Sequence, residues 1–191
     1  MQRQIVTFAG TDASNNIGLW ESNGTVAGTH ELTGISGANT GTFNQFSGGV
    51  FPSELTVFNG EVLFRGLDAH QEFGLWVTTG SAAGTHEVAG ISGSNSANNI
   101  QPNDLTVFND EVLFEGTSAS DELGLWVTNG TAGGTHEVTG ISGAVGILGP
   151  SDLTFFRLNI VSNAKVLFSA LDASFKLGLW VTDGTSGGRT S

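Results

Sequence analysis

Apolar and polar residues alternate along this chain in short runs, and no window repeats them at the three-and-four spacing of an amphipathic helix. The run Glu54-Leu55-Thr56-Val57-Phe58 has the period of a strand with one face buried, and it closes at Asn59-Gly60, a pair suited to the positive φ angles of a type I′ hairpin. Glu61-Val62-Leu63-Phe64 follows, then a loop Gly66-Leu67-Asp68-Ala69-His70, then Gly74-Leu75-Trp76-Val77-Thr78. A Gly-rich connection leads to Thr85-His86-Glu87-Val88. These four runs, called strands a to d, predict a four-stranded antiparallel meander. Strands b and c are almost continuously apolar, as in sheets covered on both faces, while a and d carry the Glu, His and Thr of sheet edges.

The unit recurs. Gly18-Leu19-Trp20, Gly74-Leu75-Trp76, Gly124-Leu125-Trp126 and Gly178-Leu179-Trp180 align at intervals of fifty to fifty-six residues, and Gly-Thr-His-Glu follows the first three, at Gly28–Glu31, Gly84–Glu87 and Gly134–Glu137. Asn23-Gly24, Thr79-Gly80, Asn129-Gly130 and Asp183-Gly184 hold one and the same turn position. The repeats run approximately over 1–52, 53–102, 103–150 and 151–191. The strands read b-c-d, a-b-c-d, a-b-c-d, a-b-c, about fourteen in all. A sheet buried on both faces that cannot cover itself is a propeller blade, so the expected fold is all-β, a β-propeller of four repeats in a single domain over 1–191. Sixteen strands would close such a ring. The missing d and a predict either an incomplete propeller or one closed by oligomerisation through open blade edges. The fourth a-to-b hairpin, Arg157 to Lys165, is longer than the others and is the least repetitive segment.

Composition narrows the partners. With 18 acidic against 6 basic residues and a formal net charge of -12, the chain offers a phosphate backbone little to bind, which argues against nucleic acid. No apolar run is long enough for membrane insertion. The chain has no Cys, which excludes disulfides and thiolate metal sites. Met1-Gln2-Arg3-Gln4 leads directly into a strand-like run without a secretory apolar core, and the ending Gly188-Arg189-Thr190-Ser191 departs from the repeat, so a boundary cut from a longer array is expected.

The segment Gly124-Leu125-Trp126-Val127-Thr128-Asn129-Gly130-Thr131-Ala132-Gly133-Gly134-Thr135 resembles the (E/G)LWVTDGTxxGT repeats of large bacterial proteins, and the resemblance covers nearly the whole chain. It implies an exported array protein, extracellular or on the cell surface, and assigns no activity. In size and blade count the architecture is similar to a hemopexin-type four-bladed propeller. The repeats are not identical. Glu21-Ser22 replaces Val-Thr after the first Trp, Ser118 stands in place of Asp12, Asp68 and Asp172, and Thr190 stands in place of His30, His86 and His136.

Few residues invite chemistry. The three repeated His could ligate a metal, but strand d lies at a blade edge, where copies diverge, so solvated His is the expectation. Asp12, Asp68 and Asp172 are candidate ligands for a structural calcium ion, with braced turns as the simpler reading. An ion in the central channel would leave no sequence signal, and no other cofactor is expected. The four Trp lie in the most apolar strand and read as core rather than as sugar platforms, with Phe58, Phe64, Phe108, Phe114, Phe156 and Phe168 beside them. Because nearly every polar residue recurs with the repeat, the unique constellation that catalysis needs is missing, and His70 has no nucleophile motif for company. The expectation is a non-enzymatic binding module whose partner is a glycan or surface protein. Its ligand would be held by the variable d-to-a connectors Gly37–Pro52, Gly93–Pro102 and Gly143–Pro150, with Asn39, Phe43, Asn44, Asn95, Asn98 and Asn99 as binding residues. The alternative is a structural, self-associating array element.

Overall fold

The computed structural model describes residues 5–46, 48–144, 148–156, 164–184 and 189–190. The fold is all-β, in four antiparallel sheets whose strands follow chain order across each sheet. The first sheet holds β1 (Val6–Thr11), β2 (Ile17–Ser22) and β3 (Thr29–Glu31). The second holds β4 (Ser53–Phe58), β5 (Glu61–Leu67), β6 (Phe73–Thr78) and β7 (Thr85–Glu87). The third is β8 (Asn103–Phe108), β9 (Glu111–Thr117), β10 (Leu123–Thr128) and β11 (His136–Glu137), and the fourth is β12 (Ser151–Phe156), β13 (Lys165–Leu171), β14 (Leu177–Thr182) and β15 (Arg189–Thr190). The chain divides into two compact units, Met1–Ala89 and Gly90–Ser191, with two sheets in each. Most of the long fourth hairpin, 157–163, lies outside the described residues.

One strand was not expected. β15 pairs Thr190 with Val181 in the register in which His86 faces Val77 and His136 faces Val127. The ladder is made by backbone groups, so replacing Thr-His-Glu by Arg-Thr leaves the pairing intact. The connection from c to d also contains a short 3₁₀ turn in the first three sheets: Val26–Gly28, Ala82–Gly84 and Ala132–Gly134. Thr25, Ser81 and Thr131 cap these turns, each side-chain oxygen accepting from the glycine amide three residues on, at 3.1 Å. At the base of each turn two hydroxyls meet, Ser22 with Thr29 at 2.6 Å, Thr78 with Thr85 at 2.6 Å and Thr128 with Thr135 at 2.7 Å.

Strand a turns by two devices. Asn59 and Gly60 adopt φ of 50° and 84°, the left-handed pair a type I′ hairpin requires. Near the start of the strand, the register shifts between Ser53 and Thr56, Asn103 and Thr106, and Ser151 and Thr154, and the residue inside each shift, Glu54, Asp104 or Asp152, has φ near 60°. This repeated bulge bends the strand. In the second unit it also joins neighbours: the Leu153 amide donates to Asp104 Oδ2 at 2.7 Å, and Thr106 Oγ1 donates to the Leu153 carbonyl at 2.9 Å.

The core follows one rule in both units. In the first, Leu19 and Leu32 of the leading sheet and Val50 of the connector pack against Phe64 and Trp76 of the next sheet. In the second, Leu113, Leu125, Val127 and Val138, with Leu148 of the connector, pack against Val166, Phe168 and Trp180. A leucine face thus meets a phenylalanine and tryptophan face, with the connector wedged between. Trp76, Trp126 and Trp180 are fully buried, each stacked on a cross-strand Phe, and their indole nitrogens donate to the carbonyls of Gly66, Gly116 and Ala170 at 3.0 to 3.1 Å. Of the six Phe expected in the core, Phe58, Phe64, Phe108, Phe114 and Phe168 are buried and Phe156 is half-buried.

Candidate binding clefts beneath the connectors

The connector is sewn to both sheets it joins. In the first unit, Ile17 N donates to Gly48 O at 3.0 Å and Phe51 N to Ile17 O at 3.1 Å on one side, while Leu67 N donates to Val50 O at 2.6 Å and Ala69 N to Gly37 O at 2.8 Å on the other. The second unit repeats this with Leu148 N to Leu123 O at 3.0 Å, Leu171 N to Leu148 O at 2.9 Å and Ala173 N to Gly143 O at 2.9 Å. Beneath this bridge each unit leaves a cleft.

The first cleft, of about 340 Å³, has a floor of Leu19, Leu32 and Val50 and a polar wall that includes Asp12, Asn16, Glu31, Asn39 and Thr40. The second, of about 230 Å³, has Leu125, Val138 and Leu148 below and Glu122, Glu137 and Thr139 at its wall. The two occupy one place in the repeat. Gly18 matches Gly124, Glu31 matches Glu137, and in both clefts the glutamate from the end of strand d lies over the glycine that opens strand c, where any Cβ would collide with the carboxylate. Glycine leaves room for the carboxylate to lie flat across the strand, and a larger residue there would push the glutamate side chain aside.

Burial raises the pKa of both glutamates, and a second carboxylate adds to it: Asp12 beside Glu31, Glu122 beside Glu137. Asp12 itself is lowered, first by the backbone and side-chain amides of Asn16 and then by the Ser14 amide, which outweigh burial. Each cleft therefore holds a carboxylate that folding makes harder to ionise. Since the folded state keeps this proton to higher pH than the unfolded chain, stability falls as pH rises from the ordinary glutamate value of 4.5 to the raised one and stays lower above it. Glu137→Gln removes this penalty, so the variant is expected to melt higher than wild type at neutral pH, with the difference vanishing well below 4.5. Thermal melts across this range check it, and a variant with no advantage at neutral pH would contradict the assignment. Asp12 works in the opposite sense, adding stability above the ordinary aspartate value of 3.8 that is lost as pH falls through its lower folded value.

The residues expected to bind a ligand are distributed differently. Asn39 is buried, and its amide is used within its own turn, accepting from Gly41 N at 3.1 Å and donating to Gly41 O at 2.8 Å, although it lines the first cleft. Asn95 is buried as well. It accepts from Ala97 N at 2.8 Å and Asn98 N at 3.0 Å and donates to Asp121 Oδ1 at 2.9 Å. Asn99, at φ 60°, accepts from Ile100 N at 2.8 Å. Phe43 packs edge-on against Phe51 and Phe73, with ring centroids at 5.3 Å and 5.7 Å. Asn44 and Asn98 are exposed.

Asp12, Asp68 and Asp172 sit in three separate sheet loops, each bracing its own turn. Asp68 Oδ1 accepts from the His70 and Glu72 amides at 2.8 Å, and Asp172 Oδ1 from the Ser174 and Lys176 amides at 2.7 Å and 2.9 Å. These amides, led by that of Lys176, lower the Asp172 pKa. Ser118 makes the same two bonds at 3.3 Å, so the departure from Asp keeps the turn with weaker acceptors. Among the described residues no three His, Asp or Glu come together in a way that could hold a metal ion. His30, His86 and His136 are each exposed on their own strand d, and His30 Nε2 lies 3.3 Å from Glu21 Oε1. Among the described residues no helix is long and apolar enough to cross a membrane.

Glu31 and Glu137 were absent from the sequence-based candidates. Their signal was a Glu closing strand d in the first three repeats, each of which opens strand c with Gly. No family model matches the chain, and neither curated proteins nor solved structures yield a match.

Proposed function

We propose that the chain is a non-catalytic binding module whose sheets act as the blades of a small propeller, incomplete or closed by oligomerisation. Its ligand is a glycan, free or on a surface protein, seated beneath the connectors. The observation that carries this reading is the recurrence of one cleft in both units, with an apolar floor and a wall bearing a glutamate over a glycine. Such a cleft suits a sugar ring, whose C–H face packs on the half-buried Ile35 or Ile141 while its hydroxyls donate to a carboxylate and meet amide or hydroxyl groups on the rim. That nearly every polar residue recurs with the repeat supports binding over catalysis. The resemblance to exported bacterial repeats supports a setting outside the cell, where surface glycans are met.

The test is a glycan array followed by calorimetric titration of the best sugar. Saturable binding is expected, weakened about tenfold or more when Glu31 and Glu137 are both replaced by Ala, because each substitution removes a charged hydrogen-bond acceptor. An array without sugar-specific signal overturns the reading. A second reading, a structural array element, is favoured by a separate observation, the bare leucine face of the fourth sheet.

A further inference from the structure

The fourth sheet presents a face that its counterparts cover. Leu179 is 65 % exposed, whereas its equivalents Leu19 and Leu125 are 0 % exposed, and Leu177 beside it is 72 % exposed. Cross-strand pairing puts Leu179 opposite Ser169 and Leu177 opposite Leu171, so these side chains share one face of the sheet. In the second unit the matching face of the third sheet, with Leu125 and Val127, is the one that seats Phe168 and Trp180.

The first sheet carries the complementary half. Phe8 stacks on Trp20 with ring centroids 6.4 Å apart, the same pairing as in the other three sheets, and Val6 on the same face is 61 % exposed. Trp20 differs from Trp76, Trp126 and Trp180 in two ways: it is only half-buried, and its indole nitrogen, though shielded, has no hydrogen-bond partner. The molecule therefore bears a leucine face on its fourth sheet and a phenylalanine and tryptophan face on its first. These are the two halves of the contact that holds each unit together.

We infer that a second copy of this chain docks head to tail, its first-sheet Phe8 and Trp20 seated on the Leu179 face of the first copy. The inference deepens the array reading and is independent of glycan binding. The interface is heterologous, pairing two different surfaces, so association continues until a ring closes or a filament grows. Large exposed apolar faces on a soluble chain mark such interfaces, and this one reproduces a packing already used inside the protein.

Sedimentation velocity of the whole chain, from micromolar to near-millimolar concentration, tests it. The wild type is expected to shift to dimers and larger species as concentration rises. Leu179→Asp and Val6→Asp should each sediment as monomers, with wild-type circular dichroism, since both positions are exposed. Mixing the two variants should restore a dimer and nothing larger, because one keeps an intact first-sheet face and the other an intact fourth-sheet face. A wild type that stays monomeric throughout overturns the proposal. So do variants that associate as the wild type does, and a mixture that stays monomeric. Glycan binding by the monomeric variants is measured separately, so failure here leaves the cleft untouched.

Discussion

Trp126→Ala is expected to lower the free energy of unfolding by about 3–5 kcal/mol, the range for deleting a large buried aromatic from a core. The side chain is 0 % exposed, stacks on Phe114 at 6.5 Å, and donates to Gly116 O at 3.1 Å. Truncation leaves a cavity and strips that carbonyl of its indole partner. Trp20→Ala is the informative comparison, because the same residue in the same repeat position is half-buried and makes no indole hydrogen bond. Its cost should fall below about 2 kcal/mol, as for side chains with less area to lose. Urea denaturation followed by circular dichroism measures both. Equal losses would mean that the first sheet's aromatic face is covered as fully as Trp126, which would also undercut head-to-tail docking.

The meander was legible because each step has a local cause. Asn59-Gly60 sets the hairpin, the apolar run Leu75-Trp76-Val77 marks a strand covered on both faces, and the repeat supplies the same evidence several times over. What escaped the sequence depends on chain segments meeting in space. β15 exists because Val181 and Thr182 offer an unpaired edge, whatever side chains come to pair there. The bulge at Asp104 could not be anticipated, since its carboxylate matters only once Leu153 arrives from the next sheet.

The connector asparagines show the same limit from the other side. A polar, variable loop suggests ligand contacts, but a loop wedged between two sheets must satisfy its own backbone first, and the buried amides of Asn39 and Asn95 serve that need. The glutamates at the ends of β3 and strand d of the third sheet looked like solvated edge residues. It is the glycine opposite and the connector above that turn them into cleft walls.

Gly49→Ala should be about as damaging as the loss of a buried tryptophan, for a different reason. Gly49 has φ of +109°, outside the range that side chains tolerate, and a Cβ there would collide with the carbonyl group of Ile17. Neither partner can retreat cheaply. The Gly49 amide donates to Asn39 O, while Ile17 O is already bonded to Phe51 N, and Val50 next in the chain is 2 % exposed within the core. A loss of about 3 kcal/mol or more is expected, from backbone strain and displaced packing together. Gly60→Ala separates the two contributions: its φ of +84° carries strain, but a Cβ there would meet nothing within 4 Å, so its cost should stay near 1 kcal/mol. If denaturation shows the two substitutions to be equally mild, the connector yields at Gly49. The seam of hydrogen bonds that roofs the first cleft would then be too soft to hold a preformed site.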